Sequence, residues 1–280
     1  MVSATESQRF AYLGPVGTFT EAALNKITCD SDVKIPYANV TAALNAVRTG
    51  EVQFALVPIE NSVEGVVART LDELATGEPL TISGEVTLPV TFALMVKPGN
   101  TEIKRIGTHP HAESQCRTFI SDNYPHAEVV PTNSTSAAAE LVSKGELDAA
   151  IASSVAAAHF GLEIRADNIG DNEGAVTRFI CAQKPGWVPE ATGNDRTSMA
   201  IFIDIDHAGA LLEILQVFAK REVNLTFIQS RPTGRELGHY HFIIDVEGHV
   251  NDTAVGESIT ELRELCDDIR FLGSYPREER

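Results

Sequence analysis

Apolar residues in this chain fall into two alternating rhythms. Short runs at Phe10–Gly14 (FAYLG), Phe54–Ile59 (FALVPI), Thr91–Val96 (TFALMV), Arg105–His109 (RIGTH) and Asp148–Ser153 (DAAIAS) predict strands. Between them, Thr20–Ile27 (TEAALNKI), Thr41–Val47 (TAALNAV), Ser114–Asn123 (SQCRTFISDN) and Ser136–Ser143 (SAAAELVS) read as helices. This alternation, from Arg9 to about Pro185, predicts a layered α/β architecture. Val47–Val57 and Val142–Ala152 each carry a helix end, a Gly-Glu turn and an apolar strand. The echo points to two similar α/β lobes facing each other across a cleft, as in bilobal solute-binding folds.

The rhythm breaks over Lys184–Asp195 (KPGWVPEATGND), a Pro- and Gly-rich stretch without period that predicts a linker. Beyond it, strand, helix, strand, strand, helix and strand follow in about 80 residues, from TSMAIFIDI to IRFLGSYP. The order βαββαβ is the ferredoxin-like arrangement. The expected division is therefore 1–185, a linker at 186–196 and 197–280.

Charge then narrows the partner. Twenty-two basic against 39 acidic residues give a net charge of -17, which argues against nucleic acid. An anionic ligand has to be held by local donors working against that field. The four cysteines stand singly, which suits a reducing compartment and offers no metal framework. MVSATESQRF has no basic head before an apolar stretch, and no later run approaches the roughly 20 residues of a membrane span, so a soluble cytoplasmic protein without membrane contact is expected.

Candidate chemistry gathers where strands run into polar turns. YLGPVGTFTEAAL offers Thr18-x-x-Glu21 as a capping box, VPIENSVEGVV presents Asn61 and Ser62, and GTHPHAESQC ends a strand at Thr108 and His109 with Pro110 suited to a first helical turn. PTNSTSAAAEL supplies Thr132, Asn133, Ser134 and Thr135 ahead of another helix. Each is an ordinary cap by itself. Together they lie at carboxyl ends of strands, where open α/β sheets bind ligands, and they favour a small polar or anionic one. In GAVTRFICAQK, Thr177 and Arg178 stand side by side at a strand entrance, a donor beside a potential carboxylate clamp. There is no Walker loop, no G-x-G-x-x-G and no H-E-x-x-H, so no cofactor and no metal are expected. His109 and His111 flank a proline, and His239 and His241 share one strand face as edge histidines.

YLGPVGTFTEAA, VPIENSVEG, THPHAESQC, STSAAAE and TRF, in this order, closely resemble the prephenate dehydratase family, and the C-terminal part resembles an ACT regulatory domain. The resemblance implies a bilobal periplasmic-binding-protein-like catalytic domain, a ferredoxin-like ACT domain, and conversion of prephenate to phenylpyruvate, carbon dioxide and water. It implies inhibition by L-phenylalanine and a homo-oligomer, usually a dimer of dimers. Carried over by motif, Thr177 is the key catalytic residue and Arg178 binds substrate. Asn61, Thr108 and Gln115 match further catalytic positions, with Ser62, Thr18, Phe179 and Ser134 at substrate-binding ones. Gly209, Ala210, Leu211, Leu212, Asn224, Leu225, Gln229, Ser230, Arg231 and Pro232 match the effector site.

Three departures matter. DNEGAVTRF lacks the asparagine often found shortly before TRF, which moves any such role to Asn172; HPH puts His111 where glutamine is usual; QSRP puts Gln229 where glutamate is usual. Glu60 and Glu64 are the nearest motif carboxyls for acid catalysis. Two readings stay open beside prephenate dehydratase: an arogenate dehydratase, and a non-catalytic amino-acid sensor.

Overall fold

Strand β1 (Arg9–Leu13) ends at Gly14 and leads into α1 (Phe19–Ile27), and β2 (Val33–Tyr37) returns parallel to β1. This computed structural model describes residues 7–172, 174–203, 207–232 and 240–278. Next come α2 (Val40–Thr49), β3 (Phe54–Asn61), β4 (Gly65–Val66), α3 (Ala68–Thr76) and β5 (Thr81–Pro89). Then β6 (Ala93–Val96), β7 (Arg105–Thr108), α4 (Pro110–Ser114), α5 (Arg117–Asn123) and β8 (Glu128–Pro131) continue the chain. They are followed by α6 (Thr135–Lys144), β9 (Ala149–Ala152), α7 (Ser154–Phe160), β10 (Glu163–Ala166) and β11 (Val176–Gln183). One sheet has the order β2-β1-β3-β11-β5 with β4 paired to β3, and another β10-β6-β9-β7-β8.

The second sheet shows why DAAIAS is apolar without interruption. Along β9, Ala149 and Ile151 join a core with Leu94, Val96 and Ile106, while Ala150 and Ala152 join one with Met95, Ala138 and Val142. Both faces are covered, so both phases of the period-two pattern are apolar. The alanines of α6 let it approach closely, and at Gly107 of β7 a Cβ would lie 2.4 Å from Leu147 Cδ1. That helix is delimited as its sequence suggests: Ser134 accepts from Ala137 N–H at 3.0 Å, and Gly145 closes it at φ 79°.

The C-terminal strands β12 (Asp195–Phe202), β13 (Leu225–Pro232), β14 (Tyr240–Glu247) and β15 (Asp268–Pro276) alternate with α8 (Ala210–Ala219) and α9 (Thr253–Leu265) in the expected βαββαβ order. β12 begins inside the stretch 186–196. The sheet order is β13-β14-β12-β15 with antiparallel pairings, and Met199, Ile201, Ile244 and Val246 pack with Ile214, Phe218, Ile259 and Leu262 of the helices. β14 is thus an inner strand. His241 is no edge histidine but fully buried, stacked on Phe202 with ring centroids 5.1 Å apart; His239 lies outside the described residues. By its internal contacts the chain divides into two units: Met1–Ala43, Leu56–Val66 and Val86–Phe179; and Leu44–Ala55, Val67–Glu85 and Ile180–Arg280.

Candidate active site

The site grows from the neighbouring ends of β3 and β11. Asn61 is the last residue of β3 and Thr177 the second of β11, and Asn61 Nδ2 donates to Thr177 Oγ1 at 2.8 Å. The backbone N–H groups of Val63 and Glu64 both donate to Asn61 Oδ1, at 2.8 and 2.9 Å, which fixes which end of the amide faces Thr177. Because Thr177 Oγ1 is the acceptor in this bond, its own hydroxyl hydrogen is left to serve a group in the cleft. Ser62 pins the strand entrance: its N–H donates to Val176 O and its Oγ accepts from Val176 N–H, both at 2.9 Å.

The turn held by Asn61 also carries Glu64. Gln115 Nε2 donates to Glu64 Oε1 at 3.0 Å, and His111 Nδ1 lies 3.5 Å from Glu64 Oε2. Gln115 reaches this point because the helix expected over Ser114–Asn123 is interrupted: α4 stops at Ser114 and α5 starts at Arg117. Pro110 stands at the first turn of α4, and His109 caps it, its Nδ1 accepting from His111 N–H at 3.3 Å. Burial holds His109 below the usual imidazole range, His111 adds to that, and Glu64 opposes it.

Two longer helices present their N-termini to the same cleft. Thr18 caps α1, and Ser134 caps α6. First-turn N–H groups without a partner inside the helix, together with the helix dipole, make such ends anion sites. The capping box differs from expectation. Glu21 N–H donates to Thr18 Oγ1 at 3.4 Å, but the Glu21 carboxylate takes Gly17 N–H rather than that of Thr18. With Thr18 also donating to Leu13 O, its hydroxyl is spent on structure. Ser136 donates to Val16 O, joining α6 to the turn before α1.

These groups line one cavity of about 880 Å³, with Phe19 and Phe92 forming an edge-to-face pair at 5.4 Å on its apolar wall. Asn61, Gln115, Thr177, Thr18 and Ser134 line it as the motifs suggest. Several other candidates do not. Arg178 follows Thr177 on an extended strand, so the side chains take opposite faces, and its Nε donates to Glu60 Oε2 at 3.2 Å outside the lining. Thr108 is buried and donates to Ile151 O at 2.9 Å, Phe179 is in the core, Ser62 is occupied by Val176, and Asn172 is exposed. Glu64, His109 and His111 are the lining groups that sequence reasoning left at the margin, though the His-Pro-His spacing marked two of them.

The matched effector residues spread over α8 and β13. Gly209 caps α8 at φ 103°, Ala210 is buried, and Leu212 is 57% exposed. Gln229 Nε2 donates to Ser230 O, and Arg231 makes a two-pronged pair with Asp72 of α3 at 2.9 and 2.8 Å. Among the described residues no helix is long and apolar enough to cross a membrane.

The family model described as prephenate dehydratase matches residues 10–186, and that of the ACT domain residues 201–264. A prephenate dehydratase of Amycolatopsis methanolica is 44% identical over 97% of this chain and 89% of its own. The crystal structure of a prephenate dehydratase from Arthrobacter aurescens in complex with L-Phe is 48% identical, with TM-score 0.89 over 96% of this chain and 90% of that one. A structure described as a novel type of quorum quenching acylase, GqqA, is 28% identical, with TM-score 0.86 over 97% of this chain and 98% of that one.

Proposed function

This chain belongs to the prephenate dehydratase family and carries an ACT domain, and on that premise we propose that it turns prephenate into phenylpyruvate, carbon dioxide and water as a carbon–oxygen lyase. The observation that carries the reading is the Asn61–Thr177 bond, in which the threonine accepts and so keeps its own proton to donate within a cleft flanked by two helix N-termini. Prephenate brings two carboxylates and a ring hydroxyl, and aromatisation drives the loss of one carboxylate with that hydroxyl. The enzyme's task is to hold the dianion in a reactive pose and stabilise the departing oxygen. The α1 and α6 N-termini suit the carboxylates, the Phe19–Phe92 wall suits the ring, and Thr177 donates to the leaving oxygen. We read Arg178, whose Nε donates to Glu60 on the face opposite Thr177, as a support for β3 and β11 in place of the clamp expected of it.

The acylase reading attached to the 28% identical relative fits this cleft less well. A nucleophilic hydroxyl passes its proton to a base, whereas Thr177 accepts from an amide and so is set to donate. We further read the ACT domain as the seat of L-phenylalanine inhibition, since the Arthrobacter relative was crystallised with L-Phe, and we read the assembly as a cytoplasmic dimer of dimers from the family resemblance. Arg231 of the QSRP motif grips α3, the helix that follows the Asn61–Glu64 turn in sequence, which supports coupling between effector and cleft.

The test is phenylpyruvate formation by the purified chain, from prephenate and from arogenate, with and without phenylalanine. Turnover of prephenate suppressed by phenylalanine is expected. A higher kcat/KM on arogenate would reassign the substrate, and binding without turnover would leave the sensor. Gly209→Val, which forces a Cβ onto a left-handed backbone, is expected to abolish phenylalanine-induced thermal stabilisation.

A further inference from the structure

Thr177 leaves one part of this reaction unsupplied, because an aliphatic hydroxyl is too weak an acid to surrender its proton near neutral pH. The ionisable side chains lining the cleft are Glu64, His109, His111 and the phenol of Tyr37. His109 is arranged to stay neutral: its Nδ1 is occupied as an acceptor of His111 N–H, and burial opposes a charge on it. His111 is placed the other way. Its side chain is 67% exposed, in reach of bulk water, and its Nδ1 faces the Glu64 carboxylate at 3.5 Å.

Glu64 shares its turn with Asn61, the residue that bonds Thr177. Oε1 is held by Gln115, and the Glu64 N–H is bonded to the same Asn61 amide that reaches Thr177. His111, Glu64 and Thr177 thus line the same cavity, with His111 open to solvent and the Glu64 carboxylate facing it. The ionisable groups facing His111 are Glu64 from the opposite turn and His109, edge to face at 5.0 Å, with Glu113 two residues along the same helix.

We propose that Glu64 is the acid that protonates the departing hydroxyl and that His111 reloads it from solvent. The proposal rests on the dehydratase reading above. In the step, the bond from the ring to its carboxylate breaks and its electron pair enters the ring. The C–O pair leaves on oxygen, and the Glu64 Oε2–H bond gives its proton to that oxygen, so that water and carbon dioxide are released. The Glu64 carboxylate then takes the Nδ1 proton of His111, and the imidazole recovers one from water. One proton is consumed for each turnover, with no change of oxidation state that needs a partner.

The experiment is the pH dependence of kcat and KM on prephenate for the wild-type chain, Glu64→Gln and His111→Gln, with Glu64→Asp as a second variant should the first fold poorly. Glu64→Gln is expected to lose about 10²- to 10⁴-fold in kcat with KM changed only a few-fold. His111→Gln is expected to keep most of its activity in acid, where solvent reloads Glu64 directly, and to lose it near neutrality, so that its falling limb is displaced to lower pH than that of the wild type. Glu64→Gln retaining more than about a tenth of kcat, or a His111→Gln limb that coincides with wild type, would overturn the relay. A wild-type chain inert on prephenate would instead overturn the dehydratase reading on which it stands.

Discussion

The cleft and the C-terminal sheet both bury polar side chains, and they do so on opposite terms. In the sheet, Ser198 is bonded to Asp245 at 2.7 Å and lies 2.8 Å from the Tyr275 hydroxyl, while Thr197 lies 2.6 Å from Ser274 and donates to Gly248 O. Every one of those hydroxyls is spent on another protein group. In the cleft, Asn61 and Thr177 form a comparable pair, and among the described residues the bond of the Thr177 hydroxyl is one it accepts, which leaves its proton for the cleft. A closed network specifies structure, because opening any member strands a buried partner. An open one costs the fold little and leaves a donor for something that is not protein.

The largest expected effect tests the open end. Thr177→Ala is expected to lower kcat about 10²- to 10³-fold, the scale for removing one transition-state donor, while the thermal midpoint stays close to wild type. A large fall in the midpoint with little loss of kcat would show that the pair is structural, as in the sheet.

Ser198→Ala probes the closed end. It leaves Asp245, 1% exposed, short of a donor, and is expected to cost about 1–3 kcal/mol in denaturant unfolding with kcat intact. Asp72→Asn weakens the grip of Arg231 on α3. On the regulatory reading the phenylalanine concentration for half-inhibition rises about five-fold at unchanged basal turnover, measured by inhibition titration.

The smallest effect concerns His241, whose two ring nitrogens have no hydrogen-bond partner among the described residues. Burial holds its pKa below the ordinary imidazole value, Arg231 acts in the same direction and Asp72 against it. The unfolded chain then binds more protons than the folded one at pH below about 6.5, so the stability present above that value is lost as pH falls. Thermal midpoints between pH 7.5 and 5.5 are expected to decline in the wild type and to decline less in His241→Leu. What decline remains belongs partly to His109, whose pKa burial also lowers.

The same contrast explains what could be read from sequence. Period-two and helical patterns gave β1, β3, β6, β7, β9, β11 and the whole βαββαβ order because those elements bury continuous apolar faces. β2, β4, β5, β8 and β10 went unread: β2, β4, β8 and β10 have no fully buried residue, and in β5 Gly84 and Glu85 interrupt the apolar pattern. In α3, ARTLDELAT, a polar helix buries only Thr70, Leu71, Leu74 and Ala75, too little apolar text to show the period. At the site, Asn61, Gln115 and Thr177 were legible from their motifs, but the facing of Arg178 was not. Adjacent letters on a strand look like neighbours and point apart.

Two helix N-termini, those of α1 and α6, line the cleft. A recognition element made of main-chain N–H groups has no side chain to acylate, to modify with a dicarbonyl reagent or to exchange for alanine. Lysine and arginine reagents are expected to spare carboxylate capture in this cleft, and an alanine scan of α1 and α6 would pass over it in silence. Proline is the one genetically encoded residue that deletes an N–H, so on the proposed reading the anchor for the substrate's charge is reached by mutation through the backbone.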